Sequence, residues 1–191
     1  MKPDLVAREL SALSELAAVM AREGPAITRL AARYVATIQS GGTIFFAGNG
    51  GSAADAQHIA TEYVVRYRGT RRAYPAVALT TDTSLLTAAG NDFGFGEIFA
   101  RQVEALCRPG DLLVLHSTSG ESENLVRAAE MARHKQVATV AFLGRGGGRL
   151  KAGVDDSLVI PSDVTSHVQE LHLAIEHIIV ELVEIALGQP E

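Results

Sequence analysis

The sequence predicts an α/β fold, a parallel sheet of five strands covered on both faces by helices. Three observations predict it. Beyond about residue 42, short apolar runs alternate with helical patterns, the signature of successive strand–helix units. Those runs are apolar throughout instead of at every second position, as in strands buried on both faces. The two stretches richest in glycine and hydroxyl residues each fall between such a run and a helix, where a doubly wound sheet takes its ligands.

The first 40 residues read as two helices. Leu5, Leu10, Leu13, Leu16 and Ala17 sit at helical spacing until Glu23-Gly24-Pro25 breaks the pattern. Ile27, Leu30, Ala31, Tyr34, Val35 and Ile38 resume it as far as Gly41-Gly42. Strands are predicted at Thr43–Ala47, Ala76–Leu79, Leu112–Leu115, Ala138–Leu143 and Ser157–Ile160. Between them, helices are predicted at Ala53–Arg66, Ser84–Ala89, Glu97–Leu106 and Asn124–His134, with a last helix from about Thr165 to Leu187. No linker, low-complexity tract or internal repeat interrupts the order. With 191 residues, 47% of them hydrophobic, the chain suits a single domain spanning 1–191 with a full core.

Charge and composition narrow the function. The net charge is −5, and the one basic cluster is Arg66, Arg68, Arg71 and Arg72, which argues against duplex nucleic-acid binding. The lone Cys107 has no partner for an internal disulfide, so a reducing cytoplasm is the expected compartment. The stretch MKPDLVAREL carries acidic residues and lacks the long apolar core expected of a signal peptide. No uninterrupted apolar run reaches the ~18 residues of a membrane span.

The first ligand-binding candidate is Gly48-Asn49-Gly50-Gly51-Ser52-Ala53. Its letters fit a dinucleotide fingerprint, but the acidic residue expected about 20 positions on is missing. Glu62 comes too early and Asp82 too late; the plain alternative is a tight glycine turn. The second candidate is Ser117-Thr118-Ser119-Gly120-Glu121-Ser122, at the N-terminus of a predicted helix. One Ser or Thr would serve as a helix cap; this loop carries four hydroxyls. Backbone N–H groups, the helix dipole and those hydroxyls make it a cradle for a phosphate. It contains no Lys, which argues against a P-loop nucleotide triphosphate site.

Two helices offer chemistry. His58 and Glu62 stand at i and i+4 and share a face, a spacing that suits a surface pair or two metal ligands. The last helix carries Gln169, His172, Glu176 and His177. Gln169 and His177, eight apart, differ by about 80° around the helix and can converge beside it. Leu171, Ile175, Ile178, Val180, Leu182, Val183 and Ile185 make that helix apolar over much of its girth, so it is buried or at a subunit interface. His172 is expected to be a satisfied core or rim histidine, and His134 a favourable charge at a helix C-terminus.

The segments GNGGSAADAQHIATEYVVRYR, AAGNDFGFGEIFARQVEAL, STSGES and VQELHLAIEHII together resemble the bacterial phosphoheptose isomerases of the sugar-isomerase (SIS) domain superfamily. The likeness runs nearly the full length. It implies a three-layer α/β/α sandwich whose N-terminal helices (1–40) serve oligomerisation, a homotetramer with active sites between subunits. It further implies interconversion of sedoheptulose 7-phosphate and D-glycero-D-manno-heptose 7-phosphate, the first step toward nucleotide-activated heptose. By position, the family's zinc ligands fall on His58, Glu62, Gln169 and His177, and its acid/base pair on Glu62 and His177. Its substrate contacts fall on Asn49, Gly50, Gly51, Ser52, Glu62, Asn91, Asp92, Ser117, Thr118, Ser119, Ser122 and Gln169.

The chain departs from the family at Ser166 and His167, where an acidic then a basic residue is usual, and at His116. The resemblance also leaves a second function, a non-catalytic regulator that binds a partner such as the replication initiator protein. Those relatives lack the glutamate that this chain keeps at Glu62. An isomerase or binding domain for another phosphosugar, such as an aminosugar phosphate, is the third.

Overall fold

The structure is a computed structural model that describes residues 3–188. The outermost positions of the expected 1–191 domain, 1–2 and 189–191, lie outside the described residues. In chain order the elements are α1 (Pro3–Met20), α2 (Gly24–Gln39), β1 (Ile44–Gly48), α3 (Gly51–Val64), β2 (Ala76–Ala78), α4 (Thr83–Phe93), α5 (Ala100–Leu106), β3 (Leu112–Ser117), α6 (Glu123–His134), β4 (Ala138–Leu143), α7 (Gly148–Gly153), β5 (Asp156–Val159) and α8 (Thr165–Ala186). All strand pairings are parallel, in the order β2-β1-β3-β4-β5.

Alternation along each central strand builds two cores. Ile44, Phe46, Leu112, Val114, Val140 and Phe142 pack with α2, α3 and α8. Phe45, Ala47, Leu113, Leu115, Ala141 and Leu143 pack with α4, α5, α6 and α7. The result is the three-layer sandwich that the resemblance implied. Phe46 and Phe142 are fully buried, each a gain of about 1.5–3 kcal/mol over exposure.

The sequence reading needs four corrections. β2 and β5 are edge strands, and β2 leaves Val77 exposed, so they are not buried on both faces as β1 and β3 are. The helix expected at Glu97–Leu106 is a 3-10 turn (Phe95–Glu97) followed by α5 from Ala100; Gly94, at φ +90°, turns the chain there. α4 continues past Ala89 to Phe93 because Gly90 is tolerated within it. α7 was not expected, since the run Gly146-Gly147-Gly148 reads as a loop.

The strand order reverses between β1 and β3, and there both candidate loops emerge side by side. Gly48 pairs with His116 in the β1–β3 register, so Asn49 leaves the sheet next to Ser117.

Candidate active site

The glycine loop is shaped by close approach. A Cβ on Gly48 would lie 2.4 Å from the Ser52 carbonyl oxygen, so only glycine lets α3 begin so soon after β1. A Cβ on Gly51 would lie 2.5 Å from the Gln169 side-chain nitrogen, so glycine here lets α8 lay Gln169 against the start of α3. Gly50 has φ +55°. Ser52 is buried behind this turn.

The hydroxyl loop partly folds itself. Ser117 Oγ accepts from the Gly120 N–H at 3.0 Å, and Ser119 Oγ accepts from the Glu121 N–H at 3.1 Å. Ser122 stands at the N-cap of α6 without a side-chain cap bond. A phosphate held here would therefore meet the N-terminus of α6 and the rim hydroxyls of Thr118 and Ser122, with Ser117 serving the turn. A Cβ on Gly120 would lie 2.0 Å from the Gly147 carbonyl oxygen, so the loop before α7 braces this one.

The two loops are clasped. Asn49 Nδ2 donates to Asn124 Oδ1 at 2.9 Å, and Asn124 Nδ2 donates back to Asn49 Oδ1 at 2.8 Å. Sequence reasoning identified Asn49 and missed Asn124. Its signal was its position, the second residue of a helix whose N-terminus forms the cradle.

α3 and α8 bring the titratable groups together. His58, Glu62 and His177 each offer a ligand atom, and these atoms all lie within 4.8 Å of one another. His58 Nε2 is 3.0 Å from His177 Nε2 and 3.5 Å from Glu62 Oε1. Burial, and then the neighbouring His58, push the His177 pKa below its ordinary value, which leaves the ring neutral near pH 7. Two imidazole nitrogens and a carboxylate oxygen facing one point are a donor set that suits zinc, with Gln169 two turns up α8 as a candidate fourth.

Supporting groups surround this cluster. The Tyr67 ring stacks on His177, with centroids 5.3 Å apart and planes 13° from parallel. Buried Arg71 caps the end of α3, donating to the Glu62 and Tyr63 carbonyls at 2.6 and 2.8 Å. It also pairs with Glu184 at 2.7 Å, and Glu184 accepts from the Tyr67 and Arg68 N–H groups. Burial opposes charge on Glu184, yet these donors hold its carboxyl below the usual carboxylate range. The arginine cluster is thus partly internal bracing, which a count of basic residues does not reveal.

The remaining candidates lie elsewhere. Asn91 and Asp92 sit exposed at the end of α4, where Asn91 donates to Asp92 at 2.8 Å. His167 is buried, with Nε2 3.4 Å from Glu9 on α1, and Ser166 is exposed. His172 is a buried core histidine whose Nε2 lies 3.2 Å from the Leu143 carbonyl oxygen. His134 is exposed in the last turn of α6, as expected of a C-terminal charge.

A doubly wound five-stranded sheet, with a hydroxyl loop at its switch point and a histidine–glutamate cluster between α3 and α8, defines the class: the SIS domain family matches residues 10–144. A phosphoheptose isomerase from Akkermansia muciniphila is 54% identical over 148 residues, 78% of this chain and 78% of that protein. The structure of a phosphoheptose isomerase from Francisella tularensis superposes with a TM-score of 0.93 at 34% identity, covering 97% of this chain and 100% of that one. One from Neisseria gonorrhoeae gives 0.90 at 36% identity, covering 95% and 98%. The chain belongs to the phosphoheptose isomerase family of SIS-domain proteins.

Proposed function

We propose that this protein interconverts sedoheptulose 7-phosphate and D-glycero-D-manno-heptose 7-phosphate, the first step toward nucleotide-activated heptose. It is a sugar-phosphate isomerase, as its family membership indicates. The observation that carries the reading is the convergence of Glu62 and His177, from helices far apart in sequence, in a chain that also carries a hydroxyl-rich loop at a helix N-terminus. Glu62, in contact with His58, also argues against the non-catalytic regulator.

The cradle at Ser117–Ser122 holds the phosphate, with Asn49, Gly50, Gly51 and Ser52 forming the adjacent wall. That anchoring sets C1 and C2 at a fixed reach from the helices. Glu62 takes the proton from C1 of the ketose and the ring N–H of His177 gives one to C2; O1 loses a proton as O2 gains one, and exchange through solvent returns the proton from Glu62 to His177. His58, Glu62, Gln169 and His177 are suited to holding one zinc ion per subunit. Bound there, zinc supplies Lewis-acid polarisation of the substrate carbonyl.

The assembly is a homotetramer. Exposed apolar residues along α1 (Leu5, Val6, Leu10, Val19) support a role for the N-terminal helices in it. So does an apolar groove of about 400 Å³ lined by Val35, Leu182 and Ile185, between α2 and α8. Asn91 and Asp92, exposed beside Phe93 and Phe95, would complete the site of a neighbouring subunit. Buried, unpaired Cys107 fits a cytoplasmic protein. Among the described residues, no helix is long and apolar enough to cross a membrane. Incubating the pure, zinc-supplemented protein with sedoheptulose 7-phosphate tests the reading: aldose product supports it, and its absence at any metal loading rejects it.

A further inference from the structure

The phosphate cradle and the proton-transfer groups sit on different elements. β3 and α6 carry the loop, while α3 and α8 carry His58, Glu62 and His177. Isomerisation needs the distance between them held, because a misplacement of about 1 Å can cost ~10²-fold in rate. Among the described residues, a side-chain hydrogen bond joins the two halves through the core. His116 directly precedes Ser117, and Glu176 directly precedes His177. His116 Nε2 lies 3.1 Å from Glu176 Oε1, and both side chains are fully buried.

The link is rigid. Tyr34 on α2 donates to the same Glu176 oxygen at 3.0 Å. The His116 ring lies between Phe46 and Phe142, with centroids at 6.2 and 5.4 Å and planes within 16° and 19° of parallel. Such a pair is a poor device for stability alone, since well-packed apolar residues of similar volume commonly serve as well. What apolar residues do not supply is a directional bond between two fixed points.

We propose that His116 and Glu176 are a positioning pair that fixes the separation between the phosphate cradle and His177. The kinetic consequence rests on the isomerase reading; the structural one does not. Neither residue touches substrate, so the pair acts by aligning an anchored sugar phosphate with His177.

Three variants test it against the parent. E176Q keeps an oxygen that accepts from both Tyr34 and His116, and its kcat should stay within threefold of the parent. E176D keeps the carboxyl group but draws the oxygen back by one methylene; its kcat should fall at least tenfold with KM within threefold. H116F/E176L replaces the pair by apolar groups; its melting temperature should match the parent within a few degrees while kcat stays at least tenfold down. Crystal structures of the parent and of E176D give a readout that does not depend on turnover: the distance from His177 Nε2 to Ser119 Oγ should differ by roughly 1 Å. Full kcat in E176D, an unchanged distance, or E176Q as impaired as E176D would each overturn the proposal. If the double variant fails to fold, E176D and E176Q still decide it. A parent without isomerase turnover would reject the isomerase reading and leave the distance comparison to judge the pair.

Discussion

His58 and His177 face each other with their Nε2 atoms 3.0 Å apart, although 119 positions separate them in the chain. Two imidazolium ions would repel at that range, whereas a shared cation accepting both lone pairs would hold the two rings as neutral donors. Glu62 closes the group on the same face of α3 as His58. The arrangement is ready to hold a metal, and its consequences are measurable.

Removal of metal should silence the protein reversibly. Dialysis against a strong chelator should reduce turnover at least tenfold, and added zinc should restore it. His58→Ala removes one donor and should weaken zinc binding by 10-fold or more, read by calorimetric titration of the metal. Unchanged affinity in that variant would take His58 out of the ligand set.

The amide clasp between Asn49 and Asn124 should matter to both stability and binding. Asn124→Ala leaves the Asn49 amide without its partner, at a cost of about 1–3 kcal/mol. It also frees the glycine loop from the phosphate cradle, so KM for the sugar phosphate should rise more than kcat falls. Urea denaturation and steady-state kinetics on one preparation check both parts.

Gly51→Ala separates activity from stability. The added Cβ would lie 2.5 Å from the Gln169 side-chain nitrogen, and a flexible amide is free to swing aside. The melting temperature should therefore move little, while turnover and zinc affinity fall ~10–100-fold as Gln169 leaves its place. A variant with parental activity would show that Gln169 is dispensable.

His172 should make the fold acid-sensitive. Burial, and then the nearby His116, push its imidazole down to about 3. An unfolded histidine titrates near ~6.5. Between those values the unfolded chain binds more protons, so stability is full above the unfolded pKa and declines as pH falls toward the folded one. The slope is at most about 1.4 kcal/mol per pH unit from this group. Urea midpoints compared between about pH 7 and about pH 5 should fall less steeply for His172→Gln than for the parent.

Much of this was legible in the sequence because the physics was local. Apolar runs marked β1, β3 and β4, and glycine or hydroxyl clusters marked the loops after β1 and β3. Spacing on α3 put His58 and Glu62 on one face. The rest depends on tertiary contact. Nothing near Asn124 in the chain reveals that it faces Asn49, nothing near Tyr67 announces its stack on His177, and Arg71 looks like one more surface arginine until Glu184 meets it. α7 was hidden because a triple glycine reads as a loop whatever follows it. His116 stood out only as a departure, and its bond to Glu176 needed the register of β3 against α8.

The central claim, proton transfer by Glu62 on an anchored heptose phosphate, is tested most directly by NMR in deuterated water with sedoheptulose 7-phosphate. The zinc-loaded parent should form the aldose with deuterium incorporated at C2, because the proton that Glu62 takes and the one delivered by His177 both exchange with solvent. Glu62→Gln should still bind the sugar phosphate yet form aldose at least ~10²-fold more slowly. Aldose formed at near-parental rate by Glu62→Gln, or product free of deuterium in the parent, would contradict the account.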